Sequence, residues 1–73
     1  MKIWEYERSS FSEVLRAYRK SHRLTVEKFA LECDVSPSTI SAYELKKVQP
    51  NAENLIKIAR AMGIDEVRIE INR

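Results

Sequence analysis

Residues 24–44 read LTVEKFALECDVSPSTISAYE, from Leu24 to Glu44, and the folding of this stretch decides that of the whole chain. Thr25 sets a hydroxyl ahead of one run of helix-forming residues, and Ser36 followed by Pro37 opens a second. A cap oxygen satisfies one orphan backbone N–H, and proline suits the first helical position because the donor it lacks has no partner there. The stretch therefore reads as two short helices, the second over about 37–45, joined by a tight turn. Phe29, Ala30, Cys33, Val35, Ile40 and Tyr43 fall at spacings that pack one helix across the other. Ser38, Thr39, Ser41 and Ala42 are small or polar, which leaves the second helix an open outer face.

With 73 residues the chain has room for one domain, 1–73, with its core in about 10–64. A chain of this size buries only roughly 60% of its unfolded surface, so it folds alone with little to spare. Hydrophobic residues at 44% and charged residues at 33% are the balance of a globular domain, not of a disordered chain. No apolar run approaches the ~18 residues of a membrane helix and no signal-peptide pattern opens the chain, so no membrane association is expected and the cytoplasm is the expected compartment. A single cysteine, Cys33, excludes an internal disulfide framework and a zinc cluster of the usual spacing, and reads as a small core residue. No metal, cofactor or enzymatic activity is expected: paired carboxylates in a cleft, a glycine-rich phosphate loop and metal-ligand spacing are all missing.

The net charge of +2 says less than its distribution. Arg8, Arg16, Arg19, Lys20, Arg23 and Lys28 are opposed over that stretch by Glu13 and Glu27 alone. Lys46 and Lys47 directly follow the second helix, and Glu5, Glu7, Asp65, Glu66 and Glu70 lie toward the ends. Runs of lysine and arginine are ordinarily solvated surface. Here their position around the two-helix unit suits a protein with one face toward phosphate. A helix that buries one side and keeps the other open can enter a DNA major groove with its N-terminal residues leading.

In the rest of the chain, Trp4 and Tyr6 alternate with Glu5 and Glu7, the period of a short strand over about 2–7. Ser10 with Glu13 reads as a capping box, and Phe11, Val14, Leu15 and Tyr18 line one face of a helix from Phe11 to Ser21. His22 at its end reads as a surface side chain near the negative end of the helix dipole. A loop from Leu45 to Gln49 and then Pro50 precede a last helix, capped by Asn51, with Leu55, Ile58, Ala59 and Met62 inward. Gly63 ends it in left-handed geometry, and Ile64 folds back onto the helix end. Val67, Ile69 and Ile71 alternate with polar residues, a second strand over about 66–71. It needs a partner, either the first strand of its own chain or the same strand of a second subunit.

Taken together these residues resemble the lambda repressor and Cro type of helix-turn-helix domain, the Xre family, from about Val14 to Ile64. Tyr18-Arg19, Leu24-Thr25, Phe29-Ala30, Val35 through Ser41, Tyr43-Glu44, Pro50 and Leu55 through Ile64 carry the likeness by their order and spacing. The resemblance implies a mainly α fold of four to five helices and a transcriptional regulator that binds double-stranded DNA; a homodimer is expected, since a strand paired between subunits would give the two-fold symmetry that reads a palindromic site. By position it implies a structural ion pair between Arg19 and Glu44. Base-facing residues would be Ser36, Pro37, Ser38, Ser41 and Ala42, and phosphate contacts would come from Thr25, Lys28, Thr39, Lys46 and Lys47.

Three departures bear on that expectation. Val26 stands where many relatives carry a phosphate-bracing glutamine, and Asp34 and Lys46 replace turn glycines. Asp tolerates left-handed geometry, whereas lysine does so at a cost. The reading face also lacks Arg, Asn and Gln, the side chains that bond bidentately to guanine or adenine. Direct readout should therefore be poor, leaving specificity to DNA shape, dimer spacing or a partner. The alternative is a protein-binding module on the same fold, such as a phage antirepressor or an antitoxin that engages a repressor or toxin through Trp4, Tyr6 and the apolar tail.

Overall fold

In the computed structural model, which describes residues 1–69, the elements run β1 (Ile3–Tyr6), α1 (Phe11–Ser21), α2 (Val26–Cys33), α3 (Pro37–Glu44), α4 (Ala52–Ala61) and β2 (Glu66–Ile69). The second helix of the central stretch stops at Glu44, one residue before the expected end. Among the described residues the helices number four, within the expected four to five. No helix among them is long and apolar enough to cross a membrane.

The terminal strands pair within the chain. β1 and β2 lie parallel in register, Ile3 beside Glu66 and Tyr6 beside Ile69. The part of the second strand expected at 70 and 71 lies outside the described residues. Trp4 and Tyr6 share the inward face of the ribbon. Trp4 stacks on Phe11 with ring centroids 5.9 Å apart, Tyr6 meets Phe11 edge-on at 5.4 Å, and Phe11 meets Tyr43 at 5.5 Å. An aromatic chain thus runs from the ribbon through α1 to α3. Both strand aromatics are buried, so they cannot form the exposed docking surface expected for a protein-binding module.

The core below this chain joins Leu15, Phe29, Ala30, Cys33, Ile40, Leu55, Ile58, Ala59 and Met62. Phe29 and Ile40, from α2 and α3, are fully buried, which locks the crossing of those two helices. Val26, in the place of the absent glutamine, packs against the same core. Burial pushes the Cys33 thiol up to about 12, so it stays protonated and inert at neutral pH.

All four helices end alike. In α1 the N–H of Arg23 donates to the Lys20 carbonyl and that of Leu24 to Arg19, and the same pair of bonds recurs at Asp34 and Val35, at Lys46 and Lys47, and at Gly63 and Ile64. This is the Schellman ending, which turns one residue left-handed. Arg23, Asp34, Lys46 and Gly63 accordingly have φ of 54°, 58°, 61° and 73°. Only the last is the residue best suited to it.

The helix starts are hydroxyl- or amide-capped at Thr25, Ser36 and Asn51, whose side chains accept from the N–H groups of Lys28, Thr39 and Asn54. The expected capping box at Ser10 does not form. Ser10 itself has near-helical dihedrals and makes no side-chain cap bond, because the extended backbone that aims a cap oxygen at the helix is missing there.

Arg23 is exposed and held left-handed, a conformation that costs a non-glycine residue roughly 1–2 kcal/mol. Arg23→Gly relieves that strain and gives back part of it as unfolded-chain entropy. The variant should gain up to about 1 kcal/mol and melt several degrees higher, at roughly 4–8 °C per kcal/mol for so small a domain. A lower melting midpoint in calorimetry would contradict the strain at this position.

Candidate nucleic-acid interface

The open face of α3 begins at a small hydroxyl network. Ser36 Oγ accepts from the Thr39 backbone N–H (3.2 Å) and lies 2.7 Å from Thr39 Oγ1 and 3.3 Å from Ser38 Oγ. Ser36, Pro37 and Ser38 are exposed, whereas Thr39, Ser41 and Ala42 are half-buried. Exposure is thus greatest at the N-terminal tip. The helix packs inward on α1 and α2 through Ile40 and Tyr43, and Asn54 Nδ2 donates to the Tyr43 hydroxyl (3.0 Å).

The attitude of that face is set by Arg19. Its Nε donates to Glu44 Oε2 (2.8 Å), its Nη2 to Glu44 Oε1 (2.9 Å), and its Nη1 to the Leu24 carbonyl (3.1 Å). The hydrogen bond to Glu44 raises the Arg19 pKa above its ordinary value against the opposing effect of desolvation. Both side chains are largely out of water, at 17% and 7% exposure. Three segments therefore converge on one guanidinium: the last turn of α1, the entry to α2 and the end of α3.

The cationic residues divide. Lys46 Nζ lies 3.2 Å from Glu13 Oε1, so the carboxylate read as half of a capping box in fact holds the lysine that follows α3. No sequence signal could have found this pair, because the two residues are 33 positions apart. Lys57, on α4, approaches the Asp34 carboxylate at 3.7 Å and bonds the Asp34 carbonyl, bracing the turn between α2 and α3. Lys28 and Lys47 are exposed and make no ion pair among the described residues. Thr25 is exposed at the start of α2, its hydroxyl oxygen accepting from the Lys28 N–H.

Lys47 is distinctive for another reason. It occupies the second residue of a Schellman ending, where an apolar side chain commonly packs back on the helix. Leu24, Val35 and Ile64 do so at the other three helices. At the end of α3 the same place carries an exposed lysine, a residue that contributes nothing to the core. The loop beyond it is pinned from the other side, since the Tyr6 hydroxyl donates to Gln49 Oε1 and Gln49 Nε2 donates to the Arg8 carbonyl (3.5 Å). Burial raises the Tyr6 pKa, which keeps that donor protonated. His22 is exposed, stacked on Tyr18 at 4.0 Å.

A helix-turn-helix family model matches residues 15–69. The chain belongs to the lambda repressor-like, or Xre, helix-turn-helix family. Its class is that of DNA-binding transcription regulators. A solved structure of similar fold is that of the clp gene regulator ClgR from C. glutamicum, with a TM-score of 0.67 and 26% identity over 80% of this chain and 75% of that one. No curated protein matches significantly.

Within this helix-turn-helix domain the two ion pairs should behave oppositely. Glu44→Ala strands Arg19 with little water around it and should cost on the order of 3–5 kcal/mol, toward the lower end because Arg19 keeps some exposure. Glu13→Gln breaks an exposed pair and should change stability by less than about 1 kcal/mol. Urea unfolding of both variants tests this, and equal losses would refute the ranking.

Proposed function

We propose that the chain is a Cro/repressor-type regulator that places α3 in the major groove of duplex DNA, its N-terminal tip leading. The observation that carries this reading is the contrast along α3: a tip of exposed small residues, and at its other end a lysine where packing would favour an apolar side chain. Ser36, Pro37, Ser38, Ser41 and Ala42 face base edges. Pro37 and Ala42 suit thymine methyl groups, and the serines accept or donate to almost any base. Thr25, Lys28, Thr39, Lys46 and Lys47, with the backbone N–H groups at the helix starts, meet phosphates. The similarity to ClgR, a clp gene regulator, supports the same reading.

The chain acts as a dimer on a palindromic site, with half-sites about 34–36 Å apart. Since the reading face offers no bidentate partner for guanine or adenine, discrimination between sites comes mainly from DNA shape and from half-site spacing. Where Lys46 turns from Glu13 to a phosphate, it exchanges one anion for another.

Titrating binding against salt separates the roles. Lys47→Ala should weaken binding similarly on all sequences and lower the slope of log K against log salt by about one. Ser38→Ala should instead change preference among sites in a random duplex pool with little change in slope. Equal slopes for the parent and the Lys47 variant would remove the phosphate assignment, and a parent that ignores duplexes in dilute buffer would remove the DNA reading itself.

A further inference from the structure

Lys46 and Lys47 follow α3 side by side but differ in what they hold. Lys46 Nζ lies 3.2 Å from Glu13 Oε1, whereas the exposed Lys47 makes no ion pair among the described residues. Their backbones are anchored alike: the Lys46 N–H donates to the Tyr43 carbonyl (3.2 Å) and the Lys47 N–H to the Ala42 carbonyl (3.0 Å). Both side chains therefore start from fixed places at the end of α3, and the contrast between them lies in the carboxylate that α1 brings to one and not to the other.

Stability gives little account of that carboxylate. The two side chains are 61% and 66% exposed, and water and salt screen an exposed pair so well that it adds almost nothing to folding. Glu13 has other support: it stands in the first turn of α1, where the helix dipole favours an acid, and the exposed Arg16 follows three residues later, a spacing at which helical side chains meet. Yet the carboxylate reaches Lys46, and Arg16 makes no ion pair among the described residues. What the pair changes is the availability of one ammonium. A lysine is a compact point charge to which carboxylate and phosphate oxygens offer the same kind of acceptor. If Lys46 moves onto DNA it gives up Glu13, and if it holds both, a carboxylate is set beside a phosphate and repels it. Lys47 meets no such competitor.

We propose that Glu13 restrains the DNA affinity of this chain by competing with phosphate for Lys46. The proposal rests on the phosphate role given to Lys46 above, and adds the residue that sets how much this contact contributes. Lys46 then strengthens binding less than its neighbour Lys47 does. On DNA the released carboxylate gathers a cation from solution, which offsets part of the counterion release that drives binding.

Fluorescence anisotropy of the full chain with a labelled mixed-sequence duplex, over a series of salt concentrations, tests this, with circular dichroism to report folding. Glu13→Gln should bind about two- to fivefold more tightly per copy of the chain, the range open to one exposed ion pair, and its slope of log K against log salt should steepen by up to about one. In a Lys46→Ala background the same substitution should change affinity by less than about twofold, whereas in a Lys47→Ala background it should keep its full effect. Should Lys46→Ala not fold, Lys46→Gly relaxes the left-handed backbone at that position and takes its place. A gain that persists without Lys46 means that Glu13 acts by general repulsion of the duplex, and overturns the competition. A Glu13→Gln protein that binds like the parent overturns it equally, and both results leave the DNA reading standing. If parent and Glu13→Gln variant both ignore the duplex in dilute buffer, the DNA reading falls and this proposal falls with it.

Discussion

One guanidinium holds the geometry on which the rest depends. Arg19 spends two donors on the Glu44 carboxylate and a third on the Leu24 carbonyl, joining α1, the entry to α2 and the last residue of α3. Lysine could not replace it, because a compact ammonium cannot span a carboxylate in two parallel bonds while reaching a third acceptor. Partly buried charges of this kind add little net stability, since the desolvation they cost offsets most of the attraction. What they add is direction. Hydrophobic burial at Phe29 and Ile40 brings α2 and α3 together, but apolar contact is non-directional, and the fork of Arg19 selects the orientation in which the tip of α3 stays open.

The ends of the helices extend the same logic. The Schellman endings of α1 and α2 let the next helix begin within a few residues, and the four endings together put left-handed backbone at Arg23, Asp34 and Lys46 as well as at Gly63. Three of these endings fold an apolar side chain back onto the core. The fourth, at the end of α3, presents Lys47 to solvent. The terminal ribbon then steadies the loop that carries it, through the hydrogen bond from Tyr6 to Gln49 and the aromatic chain from Trp4 through Phe11 to Tyr43. The strands are therefore part of the support of the site, even though they lie at opposite ends of the chain.

The proposed reading face of serine, proline and alanine has consequences for recognition. The hydroxyls of Ser38 and Thr39 both lie within hydrogen-bond reach of that of Ser36, so each proposed base contact by these serines exchanges an existing bond for a new one. Such a face tolerates many sequences. On the proposed reading, selectivity resides in how the duplex bends and in how far apart two copies hold their helices.

The local elements are legible in neighbouring residues. Hydroxyl caps at Thr25 and Ser36, proline at 37, the amide cap at Asn51, the glycine at 63 and the three- and four-residue spacing of apolar side chains all act within a turn or two of chain, so they are written in adjacent residues. The likeness to Xre domains rested on the same residues in their order. The rest emerges only once the chain is folded, because it depends on residues far apart in the chain. Glu13 reaches Lys46 instead of capping its own helix, Trp4 and Tyr6 enter the core instead of facing a partner, and the two terminal strands run parallel and pair with each other. A period-two pattern records that a strand has an apolar face, but not which edge it will find, since hydrogen-bonding partners along a strand are backbone groups that every residue carries.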